Sequence, residues 1–283
     1  MKRSFCSLLP FVVSSFLVSC GTEEKESPPL TPEQMYEQAG VLLKPHAERE
    51  KPDYQGALKL LQESANRGYL PAIIDLAGVY MEGSSDGSVK KDPRKAFQLY
   101  TLAATRGSAD AQYYCGLLLE KERNIDAAIP YYRNAAKAGL PEAKYRLGRI
   151  LITKNDPEAV SLIQEAAQSR RATTVAEASY TLAWIYEKGL LNVPSDLNKA
   201  VEMYMRSADA GDARSQYIIA LMLIEGENLT QDDAKGEALL RLSAGQDYIP
   251  AIEALVFYLS DKDSTAYAQE ISAWRQRLNS LQK

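Results

Sequence analysis

The 283-residue sequence has one histidine, His46, and three cysteines, Cys6, Cys20 and Cys115. One imidazole leaves almost no material for the histidine-based metal sites and proton relays that most hydrolases use. Three cysteines cannot build a disulfide framework. Basic charge is also short: 33 Lys and Arg stand against 37 Asp and Glu, for a net charge of -4 and a pI near 5.3. No basic stripe compensates, which argues against a nucleic-acid partner, because neutralising phosphates takes clustered Lys and Arg. G-x-S-x-G, H-E-x-x-H, C-x-x-C, phosphate-binding glycine loops and calcium loops are all missing. The sequence is therefore expected to have no catalytic residue, no metal and no cofactor, and not to be an enzyme. What it does have is apolar material, 46% of residues beside 25% charged, which is the makeup of a chain that packs a core.

The first 19 residues read as an address. Lys2 and Arg3 precede a mostly apolar stretch, Ser4 to Val18, too short for the roughly 20 helical residues that span a bilayer. It ends in Leu17-Val18-Ser19-Cys20-Gly21, which resembles the bacterial lipobox. The resemblance implies that residues 1–19 are a signal peptide and that Cys20, lipidated, becomes the first residue. An acylated cysteine anchors because each buried CH₂ contributes about 0.8 kcal/mol, so several chains hold where one is marginal. In such proteins an Asp after the cysteine retains the chain at the inner membrane. Gly21 stands there instead, and the resemblance implies the outer membrane, facing the periplasm. Residues 20–32 are then the lipidated cysteine and a tether, since GTEEKESPPLTP is acidic, proline-rich and free of apolar periodicity.

From residue 33 the chain repeats itself. A small residue, an aliphatic or Cys four later, a mostly small residue five later and Tyr or Leu eight later recur six times, starting at Ala72, Ala111, Ala143, Ala178, Ser215 and Ala251. The starts are 32 to 39 residues apart, a period typical of stacked helix pairs. At about 100° per residue, positions 0, +4, +5 and +8 share one helix face. A second set interleaves, starting at Ala57, Ala96, Ala128, Ala159, Ala200 and Gly236, with alanine at +8 in every copy. Gly68, Gly107, Gly139 and Gly211 follow at +11, where a helix end favours a left-handed residue. Arg170 and Asp247 break that rule, and their turns are expected to be less regular. Asp92-Pro93, Asp156-Pro157 and Asp196 suit helix starts.

Segments such as LAGVYMEG (76–83), KAFQLYTLAATRG (95–107), AAIPYYRNAAKAG (127–139) and KAVEMYMRSADAG (199–211) resemble Sel1-like repeats, relatives of the tetratricopeptide repeats. The resemblance implies an all-α, right-handed α-solenoid of about seven helix pairs over residues 33–260, with a polar-faced capping helix in 261–283. The units at 141–169 and 213–246 are degenerate. A cysteine-rich branch of the family, linked with penicillin binding, carries one disulfide per repeat. A single core cysteine, Cys115, makes this chain a poor match to that branch.

Candidate chemistry is sparse. Cys115 takes a position that is Leu or Ile elsewhere and reads as a small buried hydrophobe. Asp232 and Asp233 sit at a helix start, Glu23 and Glu24 in the tether, and Asn228-Leu229-Thr230 is a sequon without a use in a bacterial lipoprotein. The more informative feature is a ladder at +2 of the first helices: Tyr113, Tyr145, Tyr180 and Tyr217, flanked at +6 by Leu117, Arg149, Trp184 and Leu221. In the related tetratricopeptide solenoid this flank faces the concave groove, and Tyr and Trp are favoured at binding hot spots. Packing between repeats also explains the tyrosines and is the favoured reading. Lys144, Arg146 and Arg149 either recruit an acidic partner or form a solvated face, the second being favoured. The function expected is that of a lipid-anchored scaffold binding protein partners of the cell envelope, in complex assembly, regulation or polysaccharide export. The alternative is a cell-wall enzyme or a receptor for a glycan or a peptidoglycan peptide.

Overall fold

The computed structural model describes residues 29–44 and 52–282. The leader 1–19, Cys20 and residues 21–28 of the tether lie outside them. Among the described residues there are fourteen helices and no strand. They form seven pairs: α1 (Pro32–Leu42) with α2 (Tyr54–Asn66), α3 (Leu70–Glu82) with α4 (Pro93–Thr105), α5 (Ala109–Lys121) with α6 (Ile125–Lys137), α7 (Pro141–Thr153) with α8 (Glu158–Ala166), α9 (Ala172–Lys188) with α10 (Leu197–Asp209), α11 (Ala213–Glu225) with α12 (Asp233–Gly245), and α13 (Ile249–Asp263) with α14 (Ala268–Leu281). Each helix packs principally on the one before and the one after it, the quasi-one-dimensional arrangement of an α-solenoid. We call the first member of each pair its A helix and the second its B helix. None of the described helices is long and apolar enough to cross a membrane.

The sequence dictates the helix ends directly. Asp53, Asp92, Ser108, Asn124, Asp196, Asp212 and Asp232 each accept a hydrogen bond from the backbone N–H three residues on, satisfying a donor the helix leaves open. Thr31 forms a capping box with Gln34. That places Thr31 and Pro32, written above as tether, at the start of α1. Gly68, Gly107, Gly139 and Gly211 adopt φ between 88° and 98° in the three-residue turns from B to the next A.

Asp247 corrects one expectation. It takes φ 61°, and its N–H reaches Ala244 O at 2.9 Å, as that of Gly211 reaches Ala208 O at 2.9 Å. Asp is among the few residues that tolerate this region, and the Arg277 guanidinium grips its carboxylate, with Nε 2.7 Å from Oδ1. The turn is therefore regular. The Arg170 turn does depart: α8 has 9 residues and α9 has 17.

The repeat pattern is the core. All six residues at A-helix position 0 are 0% exposed, and those at +4 are at most 4%. The small residue at +5 admits the B-helix side chain at +4: a Cβ on Gly116 would come within 2.6 Å of the Tyr132 ring, and one on Gly148 within 2.5 Å of Ile163 Cγ1. Every B-helix alanine at +8 is buried. Polar groups in this core are paired by register. Tyr132 and Tyr204 donate to Glu120 (2.5 Å) and Glu187 (2.7 Å), each at +9 of the A helix. Ser64, Ser207 and Ser243, at +7 of their B helices, donate to the carbonyls of Pro32 and Ala213, the first residues of α1 and α11, and of Ala176, the fifth residue of the longer α9. Cys115 is fully buried, and burial pushes its thiol up to about 11, as expected of a packing residue rather than a nucleophile.

At the C-terminal end α13 runs to Asp263, three residues beyond the boundary read at 260. α14 buries Ile271 in the core cluster it shares with α11, α12 and α13 and is fastened by Arg241–Glu270 and Arg277–Asp247. Most of its remaining surface is polar and exposed, so no further apolar face is offered for stacking.

Candidate functional site: the tyrosine ladder of the A helices

The A helices repeat in register, so their +2 residues fall in line along the array. The structure shows what each of the four tyrosines does there. Tyr113 on α5 turns its hydroxyl to Arg146 of α7, and its ring lies 6.0 Å from that of Tyr132. Tyr145 on α7, 6% exposed, meets Thr181 of α9. Tyr180 on α9 lies under the Arg214 guanidinium of α11, 3.8 Å from ring centroid to Cζ, and edge-on to Tyr204 at 5.8 Å. Tyr217 on α11 meets Tyr248, the residue before α13, edge-on at 5.7 Å. Each tyrosine thus reaches from its own unit onto the next. Such aromatic and cation–π contacts contribute about 0.5–1.5 kcal/mol each beyond burial, so stacking of repeats accounts for the rings. Burial is the first reason the hydroxyls of Tyr113 and Tyr145 are pushed above the usual tyrosine range.

The basic residues divide in the same way. Lys144 is tied to Glu165 at 2.5 Å and Arg146 to Glu120 at 3.5 Å. Arg149 is exposed; its guanidinium lies 5.8 Å from the Tyr145 centroid and makes no ion pair with a carboxylate among the described residues.

What the ladder leaves open is its neighbour at +6. Trp184 is 38% exposed there, Arg149 exposed and Leu221 half-buried. Phe257, in the same register on α13, is 75% exposed. The sequence reading missed Phe257, although carrying the +6 count into the sixth copy would have found it. It missed Arg214 too, which lies one residue before its repeat start and whose charge is felt by Tyr145, Tyr180 and Tyr248. No pattern in a single chain marks that position. Exposed Trp and Phe, in the same register as an Arg without a carboxylate partner, are the residue types that carry binding energy at protein interfaces. Among the described residues no group of His, Cys, Asp and Glu is arranged to hold a metal ion.

Comparison with known proteins agrees with this architecture. The family model described as "Sel1 repeat" matches residues 48–69, 70–108, 109–140, 141–169, 176–212 and 213–248. The crystal structure of a Sel1 repeat protein from Oxalobacter formigenes superposes with a TM-score of 0.73 at 24% identity, covering 89% of this chain and 100% of that one. An exopolysaccharide production negative regulator from Rhizobium meliloti is 28% identical over 155 residues, which are 50% of this chain and 58% of the relative. The chitin synthase regulator SKT5 of Saccharomyces cerevisiae is 27% identical over 191 residues, 62% of this chain and 27% of the relative. The chain thus matches only part of the length of these curated relatives.

Proposed function

Because the chain belongs to the Sel1 repeat family, whose repeats mediate protein interactions, we propose that it is a non-enzymatic scaffold whose partner docks along the A-helix stripe of Arg149, Trp184, Leu221 and Phe257. The exposed aromatics of that stripe carry the proposal, since the tyrosines behind them are already engaged between repeats. Lipid on Cys20 holds the scaffold at the envelope, on the periplasmic face of the outer membrane. There it regulates or helps assemble machinery for a surface polysaccharide. Two relatives described as regulators, one of exopolysaccharide production and one of chitin synthase, support that setting.

Two measurements test the reading. Cys20→Ala should move the folded protein from the membrane fraction to the soluble one, and continued membrane association would overturn the anchor. Crosslinking and pull-down from envelopes should lose a partner when Trp184 and Phe257 are both changed to Ala, with melting unchanged. Partner sets identical to wild type would remove the stripe as the docking surface.

A further inference from the structure

One hydroxyl breaks the pairing found in the other tyrosine-bearing B helices. Tyr100, Tyr132 and Tyr204 share position +4 on α4, α6 and α10, and none is more than 3% exposed. Tyr132 and Tyr204 donate to the glutamate at +9 of the A helix. In the α3–α4 pair that position is Met81. Tyr100 has no such acceptor, and its hydroxyl makes no hydrogen bond among the described residues. A second exception in the same repeat exposes that hydroxyl. Position +6 of the A helix, which carries Leu, Arg, Trp, Leu and Phe in the later units, is Gly78 in α3. The nearest atom a Cβ on Gly78 would meet is the Tyr100 hydroxyl oxygen, at 3.7 Å.

The missing side chain opens a cleft of about 430 Å³, continuous through Gly78, Glu82, Tyr100 and Tyr114 with a neighbouring one of about 300 Å³. Tyr114 stacks on Tyr100 with centroids 4.9 Å apart, is 40% exposed and forms a flat wall. Asp75 and Glu82 flank Gly78 along α3, both exposed, and neither forms an ion pair among the described residues. Asp75 accepts a hydrogen bond from Tyr36 at 2.8 Å. No Lys or Arg lines the larger cleft, and Lys121 lines the smaller one. Burial first, then Tyr114, Glu82 and Asp75, pushes the Tyr100 hydroxyl above the usual range, so it stays protonated and offers its oxygen as an acceptor.

We propose that this cleft binds a lysine side chain of a partner polypeptide, with the ammonium on Glu82, Asp75 and the Tyr100 oxygen and the methylene stem along Tyr114. An ammonium has three donors and no acceptor, which suits a phenol oxygen beside two carboxylates that form no ion pair among the described residues. An aromatic wall suits both the stem and the charge. Two of the chain's own lysines each use part of this combination, one a tyrosine oxygen with its ring and the other a carboxylate with two rings. Lys95 Nζ donates to the Tyr80 hydroxyl at 2.7 Å and sits 4.1 Å from that ring's centroid. Lys262 sits on Glu237 at 2.5 Å, within 6 Å of the Tyr258 and Tyr267 centroids. The proposal does not depend on the exposed stripe that begins at Arg149.

The test titrates the full chain, purified in detergent with ¹³C-labelled tyrosine rings, with N-acetyl-lysine methylamide. N-acetyl-norleucine methylamide and chitotriose serve as controls. The lysine probe should shift the Tyr100 and Tyr114 resonances saturably and more strongly at low salt, and norleucine should not. Glu82→Gln and Tyr100→Phe, the latter read at Tyr114, should weaken binding at least about tenfold, the loss expected for one hydrogen bond to a charge. Trp184→Ala should leave it unchanged. Equal shifts from norleucine, undiminished affinity in the two cleft variants, or shifts from chitotriose and none from lysine would each overturn the assignment.

Discussion

Gly148→Ala separates the two roles a helical glycine can have. In an open helix the change stabilises by about 1 kcal/mol, because alanine has less backbone freedom to lose. At Gly148 the added Cβ would lie 2.5 Å from Ile163 Cγ1 and 3.3 Å from the Ala159 carbonyl oxygen. Ile163 is 0% exposed and cannot swing away. Overpacking of this kind costs about 1–3 kcal/mol. Set against the propensity gain, the net is a loss of up to about 2 kcal/mol, a fall of a few degrees for an array of this length. Gly40 is the control: it is exposed in α1, with nothing within 4 Å of its notional Cβ, and Gly40→Ala should raise the melting temperature. Ile163→Ala removes the clashing atoms at a cost of about 2–5 kcal/mol. In that background Gly148→Ala should become stabilising, with a coupling of about 1–3 kcal/mol. The assay is thermal and urea unfolding followed by circular dichroism, with amide exchange in α8 as the local readout. If Gly148→Ala and Gly40→Ala raise the melting temperature equally, the close approach of α7 and α8 is not what that position is for.

The register of hydroxyl pairs gives a second comparison: Tyr132→Phe and Tyr204→Phe should each cost about 1–3 kcal/mol, because a hydrogen bond to a carboxylate is lost, whereas Tyr100→Phe should stay within about 0.5 kcal/mol. Equal costs across the three would contradict it. Cys115, with its thiol raised to about 11, is about 10⁻³ thiolate at pH 8. Peptide-level mass spectrometry should find it unalkylated by iodoacetamide in the folded protein and fully alkylated in urea, and native labelling would refute its burial. Lys188 and Tyr204 hold the Glu187 carboxyl below its ordinary value of 4.5, Arg241 does the same for Glu270, and Arg277 holds Asp247 below 3.8. Groups depressed in the folded state bind more protons when unfolded, so their stabilisation is complete above those ordinary values and disappears as pH falls through the folded ones. Melting temperature should be level from pH 6 to 8 and fall toward pH 3, and a rise on acidification would show that the sign is wrong.

The residues themselves show where sequence reading stops. Alanine at 0 and +8, Leu or Ile at +4 and glycine at +11 recur because each helix pair solves the same packing problem, so counting along the chain is enough to find pairs, turns and buried faces. Asp247 escaped the count because it keeps the glycine's geometry with a different residue. The +2 tyrosines were legible as a ladder, but whether a ring packs or waits for a partner depends on a side chain about 35 residues away.

By itself, then, the sequence determined the all-helical repeat, its period and its core, since those follow from local periodicity and the need to bury one face of each helix. Only the tertiary structure decided which aromatics are used up between units and which stand free. Trp184 and Phe257 project past their neighbours, while Tyr145 is covered by the next repeat. Likewise Met81 and Gly78 look like ordinary variation along the chain, and become a cleft only when α3, α4 and α5 bring Tyr100 and Tyr114 over them. The physical reason is that burial and pairing depend on contacts between units, and those are set by how the units stack.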